Sequence, residues 1–401
     1  VLTHAHLDHS GYLPRLIRSG FRGRAWCTEG TRSLCGILLP DSGRLLEEEA
    51  AYANRSGFSK HHPAQPLYSE AEARASLGQL QGIGFEHVFE PVPGLTASFR
   101  MQGHILGAAS VTLEFEGTRI TFSGDLGRPD DPVMPAPAPL VDSDWVVVES
   151  TYGNRVHPAE ALELELLAVL KRVLARKGVV VIPAFAVGRT QEILYLIREL
   201  EDAGKIPVLP VVVDSPMANQ ATQVYNRFAE EHDEEYTSIL ASKRHPLRTG
   251  SMQTASTRDE SKRINDMRGP RIIISASGMI SGGRVLHHAI RILPDENATV
   301  VFVGYQAAGT TGRRVQDGER EVRIMKTQVK VNCTVDSIDG FSAHADWQGV
   351  LRWLSGLPSP PKTIFTTHGE PEAAAAMAKH IHDKFGWNAV VPEFGSTVEL
   401  R

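Results

Sequence analysis

Four side chains able to hold a metal ion fall within six residues near the start of the chain, His4-Ala5-His6-Leu7-Asp8-His9. Neutral imidazole is a nitrogen donor that suits zinc, and a carboxylate can share the load or bridge two ions. His4 and His6 are two apart, so on extended backbone their side chains leave the same side. Asp8 and His9 follow at a turn into a helix. A histidine-rich surface turn explains any one of these residues more readily than all four. Two further donors sit at strand ends, His104 in G-H-I-L-G-A-A-S and Asp125 in S-G-D-L-G. Each alone is weak, since a lone histidine after a strand is usually structural.

The elements that must position these donors alternate short β-rich runs with helical stretches, which predicts an α/β protein. Val1-Leu2-Thr3 reads as the tail of a strand whose beginning lies outside the sequence. A short helix is expected over Ser10–Ser19, a strand near Arg24–Thr28, and helices over Thr31–Asn54 and Ser69–Leu80. Strands are expected at Leu95–Met101, Ser110–Phe115 and Arg119–Ser123, the last two joined by the hairpin signal E-G-T. A proline-rich loop and a buried strand at Trp145–Val148 come next. Beyond Tyr152 strand–helix units repeat: Val179–Ile182 with Arg189–Asp202, Val208–Asp214 with Met217–Ala229, Ile272–Ser275 with Gly283–Ile292, then Val300–Val303. That rhythm predicts a second domain with its own parallel sheet.

Composition bounds the reading. The 401 residues are 42% hydrophobic and 22% charged, an ordinary globular balance that excludes wholesale disorder. The formal charge of −5 excludes a histone-like basic protein but not a local basic groove. Apolar runs are strand-sized, far below the ~20 residues of a membrane span. Three cysteines (Cys27, Cys35 and Cys333) cannot form a disulfide framework and fit a reducing, cytoplasmic setting. Cys27 and Cys35 are expected in the core. The paired histidines His61-His62 and His287-His288, with His380 and His382, are expected at the surface.

Later motifs narrow the picture. Glu149 ends D-W-V-V-V-E-S-T-Y-G, His344 sits in G-F-S-A-H-A-D and His368 in T-T-H-G-E; P-A-F-A-V-G-R-T-Q-E and S-A-S-G-M-I-S-G-G-R lie between them. In order and spacing the whole set resembles the β-CASP branch of the metallo-β-lactamase fold, which includes ribonuclease J and the pre-mRNA 3′-end endonuclease. An Asp that the family carries on an earlier strand has no counterpart here. The resemblance implies an αββα sandwich from residues 1–156 and 338–401, with an α/β β-CASP domain inserted at 157–337 and the active site in the cleft between them. It implies two zinc ions, one on His4, His6 and His104, the other on Asp8, His9 and His368, with Asp125 bridging. Asp8 and Asp125 then serve catalysis together with His344, the general acid, and Glu149, which orients it. The implied reaction is hydrolysis of single-stranded RNA by a bridging hydroxide, leaving 5′-phosphate and 3′-hydroxyl ends. The histidine at position 368 is the residue of RNA-acting members, where DNA-acting ones typically carry valine. Pairing of two copies also fits the family. A small-molecule thioesterase or lactonase, and a non-catalytic scaffold of RNA processing, are the alternatives.

Weaker signals surround these. The Gly-rich turns Pro183–Thr190 and Ser275–Arg284 each lie between a strand and a helix, where backbone amides can hold a phosphate. Tight α/β turns need glycine there as well. With the resemblance, Ser277, Gly278, Arg284 and Ser342 become candidate phosphate contacts. Arg313, Arg314, Arg320, Arg323, Lys326 and Lys330 crowd one stretch, which fits a solvated face and an RNA-backbone stripe equally.

Overall fold

Trp145–Glu149, with its run of three valines, is an interior strand of a seven-stranded sheet in the computed structural model, which describes residues 1–57, 59–158, 162–338 and 340–400. On one side lie Thr363–Thr367 and Ala389–Val390, both parallel; on the other, Thr118–Phe122 is parallel and Ala109–Phe115, Leu95–Met101 and Val88–Val92 continue antiparallel. A second, two-stranded parallel sheet pairs Ala25–Thr28 with Leu80–Ile83. Trp26 and Ile83 of this small sheet pack against Phe99 and Val111 of the large one. Helices Trp347–Leu354 and Pro371–Phe385 cover Val146, Val148 and Ile364. Four buried apolar residues in Trp347–Leu354, at ~1.5–3 kcal/mol each, hold that helix to the sheet far more strongly than its intrinsic propensity.

These elements belong to one compact unit, Val1–Val156 with His344–Arg401; His157–Ala343 form another. The second unit is built on a six-stranded, all-parallel sheet in the order Ser251–Thr254, Pro210–Val213, Arg271–Ser275, Val179–Pro183, Thr299–Val303, Thr334–Ile338. Its central strands are near-continuous Val and Ile, as expected of a sheet buried on both faces. The α/β class and the separate parallel sheet follow the sequence reading. No helix among the described residues is long and apolar enough to cross a membrane.

Local departures have physical causes. The helix expected over Ser10–Ser19 is split into Leu7–Ser10 and Leu13–Arg18, because Pro14 enters near the start of the second. Ser69 caps a helix that ends at Ser76 and gives way to a strand at Leu80. Strand Val88–Val92 was not foreseen; it is an edge strand, where Pro91 is tolerated. Leu2 and Thr3 lie outside any regular strand, yet Leu2 N–H donates to Trp26 C=O and Ala109 N–H donates to Thr3 C=O. This tethers the backbone just ahead of His4 to both sheets.

Candidate metal centre

Three turns deliver the first donors. His4 and His6 follow the tethered Leu2-Thr3 segment. His104 lies in the turn after Leu95–Met101, and that turn is clamped at Gly107: its carbonyl accepts from Thr28 Oγ1 (2.6 Å) and Thr31 Oγ1 (2.9 Å) at the start of helix Glu29–Ser56. Gly107 has φ +77°, and a Cβ there would stand 2.2 Å from Thr31 N, so only glycine fits. Asp125 follows Gly124 (φ +58°) after strand Thr118–Phe122.

The result is a tight set of donors. His4 Nε2 lies 3.1 Å from His6 Nδ1, and His104 Nε2 lies 3.2 Å from the same atom. Asp125 Oδ2 is 3.4 Å from both His4 Nε2 and His104 Nε2. His4, His104 and Asp125 are buried. Burial, the main influence, holds His4 well below the usual imidazole range and His6 at about 4, so both are neutral and ligand-competent at pH 7.

A second set stands beside the first and is more open. His9 Nε2, His368 Nε2 and Asp8 Oδ2 are mutually 3.2, 3.2 and 3.6 Å apart. Asp125 Oδ1, the other oxygen of the shared carboxylate, lies 3.3 Å from His9 Nε2 and 3.5 Å from His368 Nδ1. Asp8 hydrogen-bonds His368, drawing the carboxyl down to about 2 and raising the imidazole to about 9. His368 follows strand Thr363–Thr367 with φ +54°, an uncommon conformation for a residue with a side chain. It is held there by Ser150 Oγ, which donates to the preceding carbonyl (2.7 Å), and Thr151 Oγ1 lies 3.1 Å from the His368 carbonyl oxygen.

The donors fit zinc. Nitrogen and oxygen ligands ~2.0–2.2 Å from a zinc ion stand ~3.3–3.6 Å apart at the vertices of a tetrahedron, close to the separations in both sets. Asp125 Oδ1 is buried without a hydrogen-bond partner among the described residues, a cost that a cation would remove. Burial alone would raise the Asp125 carboxyl, but the imidazoles of His9, His104, His4 and His344 outweigh it and hold the group well below the carboxylate range.

His344 and Glu149 adjoin both sets. His344 Nδ1 lies 3.0 Å from Glu149 Oε2 and 3.9 Å from Asp125 Oδ2. Burial would lower the His344 imidazole, but the Glu149 carboxylate overrides it and the net shift is upward. Two residues were not singled out from sequence. The hydroxyl of Thr3 lies 3.3 Å from Nδ1 of His4 and 3.3 Å from Nδ1 of His9, touching one imidazole of each set. Thr151 Oγ1 donates to Glu149 Oε2 (2.6 Å) and lies 3.2 Å from His368 Nδ1. The available signal was position: each hydroxyl neighbours a motif residue.

The candidate phosphate contacts belong to the other unit and are engaged with its own groups. Arg284 donates to Asp214 Oδ1 (2.7 Å) and to the carbonyls of Ala255 and Ser256. Ser277 Oγ accepts from the amides of Ser281 and Gly282, and the Gly278 carbonyl accepts from Gln306. Ser342 is buried. His288, expected at the surface, is instead buried and 2.7 Å from Asp214 Oδ2, because the amphipathic helix Val285–Ile292 turns that face to the sheet. His61, His62, His287 and His382 are exposed as expected, and His380 stacks on Trp347. Cys27, Cys35 and Cys333 are buried free thiols.

Residues 190–315 match the family model of the Beta-Casp domain, and residues 328–392 that of the Zn-dependent metallo-hydrolase RNA specificity domain. The chain is 34% identical over 380 residues to Ribonuclease TTHA0252 of Thermus thermophilus, covering 94% of this chain and 83% of that one. The chain belongs to the β-CASP family. This β-CASP chain is also 32% identical to the transcription termination factor FttA of Pyrococcus abyssi, over its full length but only 62% of the factor's. It is 29% identical to an RNase J-like protein of Methanocaldococcus jannaschii, covering 88% of it. Among solved structures, a protein of unknown function from Enterococcus faecalis shares the fold, with a TM-score of 0.52 at 14% identity over 98% of this chain and 79% of that one. The metallo-β-lactamase fold with a β-CASP domain, read from the motifs, is thereby established, and with it a metal-dependent hydrolase of nuclease type.

Proposed function

We propose that this chain is a zinc-dependent ribonuclease that hydrolyses phosphodiester bonds of single-stranded RNA and leaves 5′-phosphate and 3′-hydroxyl ends. The observation that carries this reading is the division of Asp125: Oδ2 faces His4 and His104, Oδ1 faces His9 and His368. One carboxylate serving two donor sets is the arrangement of a two-metal phosphodiesterase. His4, His6 and His104 would hold one ion and Asp8, His9 and His368 the other, with Asp125 common to both. Bound there, the metal supplies Lewis-acid polarisation of a phosphoryl oxygen and lowers the pKa of the attacking water.

The remaining steps fall to side chains of this chain. His344 gives its Nδ1 proton to the hydrogen bond with Glu149, so the proton on Nε2 is the one it can transfer. Delivered to the 3′ oxygen as the P–O bond breaks, that proton produces the 3′-hydroxyl. Glu149 favours the charged form of the imidazole and holds its orientation, and Thr151 fixes Glu149. The names of the similar ribonuclease and RNase J-like proteins, and the RNA-specificity model, support RNA as the substrate. The deciding experiment incubates the chain with end-labelled single-stranded RNA, and with DNA of the same sequence at matched salt, with and without chelator. RNA is expected to be cut much faster, chelation to stop it, and product ends to be 5′-phosphate and 3′-hydroxyl. Chelator-resistant cleavage, or DNA cut as fast as RNA, would overturn the reading.

A further inference from the structure

The crowded basic stretch at 313–330 resolves into the short helix Thr311–Gln316 and a two-stranded antiparallel hairpin, Glu321–Ile324 with Thr327–Lys330. The hairpin has two unlike faces. Val322, Ile324 and Val329 are buried in the core of the second unit with Val285, Ile292 and Phe302. Strand alternation then turns Arg323 and Lys330 outward, and Lys326 sits in the connecting turn; all three are exposed.

The structure also sorts the cations. Arg313 is engaged by Asp317 (2.8 and 2.9 Å) and Arg314 by Glu319 (2.6 to 3.0 Å). The side chains of Arg320, Arg323, Lys326 and Lys330 make no ion pair among the described residues. Glu321 is opposite Lys330 in the ladder, yet the two do not pair. Arg323 and Lys330 are diagonal neighbours, about 7–8 Å apart in an antiparallel pair. An acidic chain of net charge −5 thus displays, among the described residues, three unpaired cations on a core-anchored hairpin and a fourth, Arg320, just ahead of it.

We infer that the outward face of this hairpin is a docking strip for the phosphate backbone of single-stranded RNA. The identity of the polyanion rests on the ribonuclease reading above. Guanidinium and ammonium groups suit phosphate oxygens. The strip carries no aromatic side chain on which a base would stack, so its contacts are to the backbone and independent of sequence. It contributes affinity and salt dependence, not chemistry.

The test measures binding of the metal-loaded full chain to a fluorescent single-stranded phosphorothioate RNA 20-mer over a series of KCl concentrations. The triple variant Arg323→Gln, Lys326→Gln, Lys330→Gln is expected to bind ~10-fold or more weakly at low salt. Its log Kd against log salt slope is expected to fall by ~0.7 per lost phosphate contact, about 2 for three. Hydrolysis of bis(4-nitrophenyl) phosphate, a single diester with no phosphate backbone for the strip to hold, is expected to be unchanged and shows that the variant is folded. The pair Arg313→Gln, Arg314→Gln, whose cations are already engaged, is expected to leave the slope alone. An unchanged slope in the triple variant, or an equal fall in the paired-arginine variant, would overturn the inference. If the wild type binds RNA with this hairpin-dependent slope but cuts none, the docking strip stands and the cleavage reading falls.

Discussion

His344 Nδ1 lies 3.0 Å from Glu149 Oε2, and the rest of that carboxylate is fully occupied: Oε1 accepts from Leu126 N–H (2.6 Å) and Oε2 from Thr151 Oγ1 (2.6 Å). Glu149 therefore cannot swing away, and the imidazole is held by a fixed anion. His344→Ala is expected to keep its metal and lose ~10²–10⁴-fold in kcat, the usual worth of positioned proton transfer. The active form is protonated and its pKa is raised, so activity falls as pH rises through that value. Glu149→Gln removes the charge that raises it, so the alkaline limb of the pH–rate profile moves to lower pH. A limb that stays in place would show that His344 is not the acid.

The shared carboxylate makes a sharper claim about metal. Full-length protein purified without chelator is expected to hold close to two zinc equivalents. Asp125→Ala should lose cleavage and metal together. Asp125→Asn, which keeps the shape and removes the charge, should fail as well. Metal analysis beside the RNA assay checks both, and activity retained in either variant would place the bridge elsewhere.

Thr3 touches Nδ1 of His4 and of His9, so its loss is expected to loosen both donor sets at once. Supporting contacts of this kind are worth ~10–100-fold in metal affinity. Thr3→Val should show that weakening in competition with a chromophoric chelator, and Thr3→Ser should restore it. A Thr3→Val protein with unchanged affinity would make the contact incidental.

Gly107 and Gly117 share φ +77° but differ in surroundings. Gly107→Ala must accept the strained backbone and a Cβ 2.2 Å from Thr31 N, and is expected to cost about 2–4 kcal/mol and to displace His104. Gly117→Ala, with nothing within 4 Å, should cost only about 1–2 kcal/mol and leave metal content alone. Denaturant unfolding of the two variants side by side checks the difference.

Asp214 is fully buried in the second unit, bonded to His288, Ser261 and Arg284. Burial alone would raise its carboxyl, but these three partners prevail and hold it below the ordinary value. A depressed folded pKa means that the stabilisation is present above the unfolded value of ~3.9 and is lost as pH falls through the folded one. Asp214→Asn leaves the Arg284 guanidinium without its carboxylate and is expected to destabilise by ~3–5 kcal/mol near neutrality. The gap in Tm to wild type should narrow below pH ~4; a gap independent of pH would remove the carboxylate from the account.

Much of this was legible because the informative signals are local. H-x-H-x-D-H packs its donors into one turn, so adjacency in sequence is adjacency in space. The valine and isoleucine runs announce a buried parallel sheet through composition alone. The family could be named from short contiguous motifs, and the family and relative matches agree with that reading.

Other features depend on contacts between distant residues. His288 looked like a surface histidine because its neighbours are polar, and only the packing of its helix brings it to Asp214. The basic stretch was ambiguous because a charge count cannot tell Arg313, already paired, from Arg323, which is not. Thr3 and Thr151 matter because hydroxyls are short, and a short group bonds only what the fold sets beside it. Donor types and their order along the chain are sequence properties, and they determined the fold class and the metal chemistry of this protein. Which oxygen of Asp125 faces which histidines is decided by four separate segments meeting in three dimensions, since hydrogen-bond and metal geometry act over about 3 Å while those segments lie up to hundreds of residues apart.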